Sequence, residues 1–110
     1  MPYSEHLAGR VRSALKGKRG ITEKKMFGGL SFLHHGNMCV GIIGDDLMVR
    51  VGPAAYKDAL SKTGVRPMDF TGRPLNGYVY VSPAARRTGK ALGQWVARGL
   101  AFTSTLRKKG

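Results

Sequence analysis

Residues 30–51, LSFLHHGNMCVGIIGDDLMVRV, decide the fold because their apolar side chains recur at every second position. Such alternation is typical of strands that bury one face. The three apolar runs are separated by HHGN (34–37) and GDD (44–46), which are rich in residues that favour tight turns. A short run before them, residues 21–26, also alternates. Together these segments predict a meander of three or four antiparallel strands.

Helical patterns lie on both sides of this meander. Residues 4–16 place Leu7, Val11 and Leu15 on one face, with Ser4 as the predicted N-cap. A short helix is predicted at 54–62, with Pro53 at its first position. A last helix follows Thr88 and carries an apolar stripe that includes Leu92, Trp95, Val96, Leu100 and Leu106.

The region between the second and third helices predicts less regular structure. Residues 64–77, GVRPMDFTGRPLNG, have turn chemistry throughout, yet Met68 and Phe70 predict that the segment packs onto the core. Residues 78–81 predict one more strand. The order α-β-β-β-β-α-β-α then favours an α+β fold, in which helices pack on an antiparallel sheet of about five strands. The length of 110 residues favours one domain over 1–110, ending in a basic tail at 107–110.

Composition excludes several classes of protein. Cys39 is the one cysteine, so no internal disulfide can form, and a reducing cytoplasmic setting is expected. No apolar run approaches the roughly 18 residues of a membrane span. The first residues, MPYSEHLAGRV, lack the apolar region of a signal peptide. We therefore expect a cytoplasmic protein that does not span a membrane.

The charge is the most unusual property of the sequence. There are 19 Lys and Arg residues against 6 Asp and Glu, which gives a net charge of +13. Residues 1–25 carry +5 and residues 86–110 carry +7, whereas residues 26–85 carry only +1. Two basic ends around a nearly neutral middle favour a polyanionic partner, DNA or RNA rather than an acidic membrane surface. The alternative is that the charge serves solubility alone.

The basic ends supply the candidate nucleic-acid-binding residues, which are Arg10, Arg12, Lys16, Lys18, Arg19, Lys24, Lys25, Arg86, Arg87, Lys90, Arg98, Arg107, Lys108 and Lys109. If the first and last helices share a face of the sheet, the two groups merge into one surface. No zinc finger, leucine zipper or RRM signature is present, so contact with phosphates rather than base reading is expected. Four aromatic residues are predicted to lie in the core, with base stacking as the alternative: Phe27, Tyr78, Tyr80 and Trp95.

The remaining candidate sites have simpler structural interpretations. Gly28-Gly29 matches no phosphate-binding loop, and a strand follows it, which favours a bulge or a close backbone approach. His34-His35 and Cys39 are too few ligands for a typical zinc site. Cys39 itself is predicted to be a buried thiol rather than a nucleophile. Asp45-Asp46 favours turn chemistry over catalysis. No cofactor, metal or catalytic residue is predicted.

Several motifs carry a resemblance to a known family. KKMFGGLSF, GNMCVGIIGDDLMVRVGPAAY, GVRPMDFTGRPLNGYVYV and WVARGLAF resemble the N-terminal domain of the TfoX/Sxy family over nearly the whole chain. The residues that match the family pattern are Met26, Phe27, Gly28, Gly29, Gly44, Asp45, Asp46, Arg50, Gly52, Pro67, Met68, Asp69, Phe70 and Trp95. The resemblance implies structural roles for them and supplies no catalytic residues.

The same resemblance implies a fold and a function. The fold is an antiparallel sheet backed by helices, similar to YjbR-like proteins and secretion chaperones. Longer members of the family regulate natural competence together with a cyclic-AMP receptor protein, and they carry a second, C-terminal domain of helix-hairpin-helix character. The chain is expected to be a stand-alone N-terminal domain, since the sequence ends at Gly110.

The sequence therefore favours a non-enzymatic regulatory module that binds nucleic acid weakly, or binds a regulatory protein that is itself on DNA. The first alternative is a protein-binding module that forms homodimers or acts like a chaperone, for which an edge strand or the methionines would provide the surface. The second alternative is a small enzyme that uses Cys39 or Asp45.

Overall fold

The computed structural model describes residues 3–26, 28–69 and 74–107. Within them the chain forms one six-stranded antiparallel sheet and three α-helices, with a short 3₁₀ turn at Pro83–Arg86. The order along the chain is α1 (Glu5–Leu15), β1 (Ile21–Met26), β2 (Gly29–His34), β3 (Asn37–Ile43), β4 (Asp46–Arg50), α2 (Tyr56–Leu60), β5 (Val65–Asp69), β6 (Pro74–Val81) and α3 (Gly89–Thr103). The strand order in the sheet is β1-β2-β3-β4-β6-β5.

The predicted α+β class and the antiparallel meander are confirmed, but the sheet has six strands rather than about five. The additional strand is β5. It lies within residues 64–77, whose many turn-forming residues did not predict a strand. β5 pairs only with β6, so it is an edge strand. An edge strand tolerates Pro67 because one side of it needs no ladder hydrogen bond, and a register irregularity follows between Pro67 and Asp69. The predicted strand at 78–81 extends over Pro74–Val81.

Helix ends follow the predicted caps where a capping side chain exists. Ser4 Oγ accepts a hydrogen bond from the backbone N–H of Leu7 at 3.1 Å, and Thr88 Oγ1 accepts one from Ala91 at 3.0 Å. α2 is shorter than the predicted 54–62, since it begins after the N-cap Ala55 and ends at Leu60. Pro53 therefore lies before the helix, and its predicted place at the first helical position was wrong. α3 ends at Thr103, so Leu106 lies beyond it rather than within it.

The core lies between the helices and one face of the sheet. Valines and other apolar side chains of β2, β3, β4 and β6 pack against Leu7 and Val11 of α1 and against Trp95 and Val96 of α3. Ala59 of α2 joins the same cluster. All three helices therefore cover one face. Among the described residues no helix lies on the other face, which we call the open sheet face. None of the described helices is long and apolar enough to cross a membrane.

A β-bulge in β3 changes which face of the sheet its side chains point to. Phe32 pairs with Val40 whereas Leu33 pairs with Met38, so Cys39 is the extra residue. A regular strand would point Cys39 and Val40 to opposite faces, but both belong to the core cluster and both lie against Gly99 of α3. A Cβ atom at Gly99 of α3 would lie 3.0 Å from Cys39 Sγ. α3 thus approaches β3 closely at Gly99, whereas a Cβ atom at Gly93 would meet nothing within 4 Å.

Candidate nucleic-acid interface

One hydrogen-bonded contact joins the two basic ends of the chain. Arg10 of α1 donates from Nη2 to the backbone carbonyl oxygens of Arg86 and Arg87, each at 3.2 Å. The two helices also border a common groove, whose lining includes Lys18 after α1 and Gly93 and Ala97 of α3. The condition for a merged surface, that the first and last helices share one face of the sheet, is therefore met.

Lys90 extends this surface along α3. It precedes Gly93 by three residues and Ala97 by seven, so all three lie on the same stripe of the helix. Arg87 lies just before the N-cap Thr88, and both Arg87 and Lys90 are exposed. We call Arg10, Lys18, Arg87 and Lys90 the basic helical surface. The first turn of α3 contains no acidic residue, so its positive dipole end adds to the field.

Arg86 differs from its neighbours because it is buried, with an exposed fraction of 7%. Its Nη2 donates to the carbonyl oxygen of Asp45 at 2.6 Å, and its buried Nε has no hydrogen-bond partner among the described residues. Burial and the nearby Arg10 charge lower the pKa of Arg86 below its ordinary value. We interpret Arg86 as a structural residue that holds the β3–β4 turn, rather than as a phosphate contact.

Two further candidates are already paired with acids. Arg12 makes a two-pronged contact with Glu23, at 2.7 and 2.8 Å, and this hydrogen bonding lowers the pKa of Glu23. Arg98 contacts Asp58 at 3.1 Å and stacks over the Trp95 ring at 5.0 Å. Both pairs are at the surface, so they contribute little to stability and can exchange with a phosphate.

The other candidates are exposed and form no ion pair in the described part of the chain. They are Lys16, Lys18, Arg19, Lys24, Lys25, Arg87, Lys90 and Arg107. The structure separates Lys24 from Lys25, since Lys24 pairs with Ser31 on the open sheet face and Lys25 pairs with Leu30 on the helix side. Arg107 follows α3 at its far end from Arg87. Lys108 and Lys109 lie outside the described residues.

The residues of the resemblance are mostly turn and packing residues. Gly28 has φ +73°, and a Cβ atom at Gly29 would lie 2.1 Å from the carbonyl oxygen of Ile42, so the pair combines a left-handed turn with a close approach. No helix N-terminus follows the pair, and the structural interpretation stands. Gly44 has φ +59°, and its carbonyl oxygen accepts from the N–H of Ser4 at 2.8 Å, which anchors α1 to this turn.

Other residues of the resemblance make contacts between strands and with α3. Asp46 pairs with Arg66 of β5 at 2.6 Å. Arg50 stacks over the rings of Tyr78 and Phe102, and the positive φ of Gly52 (+85°) places its backbone against Phe102. Pro67, Met68 and Asp69 belong to β5, with Met68 buried, and Met26 ends β1. Phe27 and Phe70 lie outside the described residues.

The predicted core aromatics divide into two groups. Trp95 is in the core, with 7% exposure, as predicted. Tyr78 and Tyr80 are half-buried and point to the open sheet face, so their assignment to the core was wrong. In the alternating pattern YVYV (78–81), the structure places Val79 and Val81 at the core positions and leaves the tyrosines on the other face.

Cys39 lies in an apolar interior that disfavours catalysis. Burial raises the pKa of its thiol to about 11, against smaller opposite effects of Thr103 and Arg50. We expect a thiol reagent at pH 8 to modify the native protein at least about 100-fold more slowly than the urea-unfolded protein, because little thiolate is present. Rates measured with a chromogenic disulfide check this. Equal rates in the two states would reopen a nucleophilic role for Cys39.

No group of three or more His, Cys, Asp or Glu side chains within the described ranges is arranged to hold a metal ion. Thr103 Oγ1 lies 2.8 Å from Nδ1 of His34, and the His34 and His35 rings lie 4.5 Å apart. His35 and Gly36 both have positive φ, so these histidines belong to the hairpin turn between β2 and β3.

A comparison with protein families finds a match over most of the sequence. The model of the TfoX N-terminal domain family covers residues 13–103. The chain belongs to the TfoX N-terminal domain family. Comparisons with curated proteins and with solved structures found no match. Membership gives this TfoX N-terminal domain a regulatory kind of role.

Proposed function

We propose that this TfoX N-terminal domain is a non-enzymatic regulatory domain that binds the phosphate backbone of nucleic acid through its basic helical surface. The observation that carries the proposal is the contact of Arg10 with the carbonyl oxygens of Arg86 and Arg87, which brings two separate basic segments onto one face. Residues 4–20 and 83–107 together contain ten basic residues and one acidic residue, Glu5. The other acids belong to the sheet, its turns and α2.

The physical basis is the release of counterions. Lys and Arg side chains that neutralise phosphates release condensed cations, and this favours binding at low salt regardless of sequence. Lys18, Arg87 and Lys90 are exposed for such contacts. The positive dipole end of α3 adds to this attraction, and Thr88 Oγ1 already accepts from the N–H of Ala91 there. This arrangement positions a backbone and reads no bases, so specificity would come from a partner, such as a regulatory protein that is itself on DNA.

The proposal includes a cytoplasmic setting and the absence of catalysis. A reducing compartment suits the single buried thiol of Cys39. The high pKa of that thiol and the turn role of Asp45 both speak against the small-enzyme alternative. A contribution to competence or transcription, as the family resemblance implies, would then act through weak, salt-sensitive association with DNA.

The test is fluorescence anisotropy of a labelled 20-base-pair duplex, titrated with protein at about 50 and 200 mM salt. We expect the affinity to fall about 100-fold between these salts, because about four phosphate contacts give a slope near −3.6 in a plot of log K against log salt. No binding at 50 mM would remove the proposed function. In that case the +13 charge would serve solubility or a protein partner, and solution mass would test the homodimer alternative.

A further inference from the structure

One row of side chains crosses the open sheet face from edge to edge. Lys24 pairs with Ser31, Ser31 with Gly41, Gly41 with Met48, Met48 with Tyr80, and Tyr80 with Arg66. Residues directly opposite each other on neighbouring strands point to the same face. The row therefore carries one residue per strand and ends in a cation at both edges. Its span is about 24 Å, from five strand spacings of roughly 4.8 Å.

The two tyrosines of β6 form the centre of a cation–aromatic group on this face. Tyr78 and Tyr80 are two residues apart on one strand, so their Cα atoms are about 7 Å apart and both rings point to the same side. The guanidinium of Arg50 lies 5.3 Å from the Tyr78 ring centre, and that of Arg66 lies 4.8 Å from the Tyr80 ring centre. Each tyrosine thus has an arginine of the neighbouring strand over one face of its ring.

Between Lys24 and Tyr80, the residues of this row are uncharged and have short or buried side chains. Gly41 has no side chain, and Met48 and Ser31 are almost fully buried at 3% and 4% exposure. A Cβ atom at Gly41 would lie 3.1 Å from Met48 Cε, so only glycine keeps this part of the face flat. Lys24 and Arg66 are exposed, while both tyrosines and Arg50 are half-buried. Neighbouring atoms cover Ser31 and Met48, so a ligand on this face would contact the half-buried tyrosines and the exposed Lys24 and Arg66 rather than the middle of the row.

Such a face has the chemistry of a single-strand binding surface. Bases that are not held in a duplex stack on aromatic rings and on guanidinium planes, and cations nearby contact the sugar-phosphate backbone. A duplex cannot offer its base faces, because they are stacked inside the helix. The two tyrosines provide separate positions for two bases, on the ring faces that Arg50 and Arg66 do not cover. Lys24 lies four strand spacings, about 19 Å, from Tyr80, where it can contact the phosphate of a more distant nucleotide.

We infer that the open sheet face is a second nucleic-acid site, which binds single-stranded DNA or RNA by stacking bases on Tyr78 and Tyr80. Charge favours this occupant over a second copy of the chain, since the protein carries +13 and two copies repel each other. The two rings favour bases over an acidic protein surface, because carboxylates do not stack on aromatic faces. The acids near the site are Asp46, which pairs with Arg66, and Asp69, which lies near Tyr80. The site is separate from the basic helical surface, on the opposite side of the sheet.

The test is the binding of labelled oligo-dT of 12 nucleotides, compared with the labelled duplex at the same salt. We expect the double substitution Tyr78→Leu and Tyr80→Leu to weaken oligo-dT binding at least about 20-fold and to change duplex binding less than about twofold. The double substitution to Phe keeps both rings and should bind oligo-dT like the wild type. Tyr56→Leu, in α2 on the helix side, is the matched control and should also be unchanged.

A second measurement needs no variant and covers the case in which the Leu variant fails to fold. Oligo-dT that contains 5-iodouracil is irradiated with the wild-type protein, and the linked peptide is identified by mass spectrometry. Linkage at Tyr78 or Tyr80 supports the site, whereas linkage confined to α1 and α3 overturns it. The inference is also overturned if the Leu variant binds oligo-dT normally, or if the wild type is a dimer at micromolar concentration that the Leu variant disrupts.

These outcomes are distinct from failure of the proposed function. Charge reversal on the basic helical surface should weaken duplex binding, and the tyrosine substitutions should weaken single-strand binding selectively. Suppose that the Leu variant loses oligo-dT binding while charge reversal at Arg87 and Lys90 leaves duplex binding unchanged. This result would support the single-strand site and contradict the proposed function. The reverse result would keep the proposed function alone.

Discussion

Substitution of Gly29 by alanine is expected to destabilise the domain by about 3 kcal/mol. The added Cβ would lie 2.1 Å from the carbonyl oxygen of Ile42 and 3.1 Å from its carbonyl carbon. These are backbone atoms of β3, so the clash cannot be relieved by turning a side chain. Relief requires β2 and β3 to move apart where the sheet packs against the core, and this disturbs packing around Leu30 and Ile42, which are almost fully buried.

The measurement is thermal or urea unfolding followed by circular dichroism. A loss of about 3 kcal/mol lowers the midpoint temperature by roughly 10 to 20 °C for a domain of this size. Gly93→Ala is the matched control, because its added Cβ meets nothing within 4 Å in the interior of α3. We expect the free energy of unfolding of this control variant to exceed that of the wild type by about 0.5 to 1 kcal/mol. A Gly29→Ala variant with the midpoint of the wild type would contradict the close-approach interpretation of Gly28-Gly29.

The regular elements of the fold could be predicted from the sequence because local patterns dictate them. The alternation in residues 30–51 and the caps Ser4 and Thr88 led to β2, β3, β4, α1 and α3. β5 was not predicted because Pro67 disfavours a strand in general, and only its position at the sheet edge makes it acceptable. The bulge at Cys39 was not predicted either, since one inserted residue is decided by packing against Gly99 and not by residue type.

The candidate site could be predicted in composition but not in geometry. Counting charges identified the basic ends, yet it could not show that Arg86 is buried or that Lys24 and Lys25 point to opposite sides of β1. Those properties depend on burial and register, which only the folded chain defines. The tyrosines show the same limit, because Tyr78 and Tyr80 suit a core strand as well as an open face until the partners of Val79 and Val81 are known.

The two proposed surfaces divide the molecule into functional sides. The helical side carries exposed cations suited to a phosphate backbone, and the open sheet face carries rings suited to unpaired bases. A domain with both could hold a duplex and a displaced strand together, in line with a regulatory role close to DNA. The separation also means that substitutions on one side leave the other side intact, so each surface can be tested alone.

The largest expected effect on binding comes from charge reversal on the basic helical surface. The double substitution Arg87→Glu and Lys90→Glu removes two cations that are exposed and that no ion pair holds among the described residues. We expect duplex affinity to fall about 100-fold at 50 mM salt, and the salt slope to decrease by about two, one for each lost phosphate contact. The fold should persist, since neither side chain contributes to the core cluster.

The matched control is the double substitution Lys57→Glu and Lys62→Glu. It changes the net charge by the same amount. Lys57 belongs to α2. Lys62 lines a pocket together with Ala91 and Gln94, and this pocket lies on a different side of α3 from the groove that Lys18 lines. Only a small loss through the weaker overall field is expected. The control therefore separates a binding surface from the effect of net charge alone.

The most direct test of the proposed binding surface is the salt dependence of duplex binding for the wild type and these two variants, measured by anisotropy between about 50 and 200 mM salt. We predict a steep slope for the wild type, a slope smaller by about two for the Arg87 and Lys90 variant, and a nearly unchanged slope for the Lys57 and Lys62 variant. Equal slopes for all three proteins, or equal losses in both variants, would contradict a binding surface on the helical side.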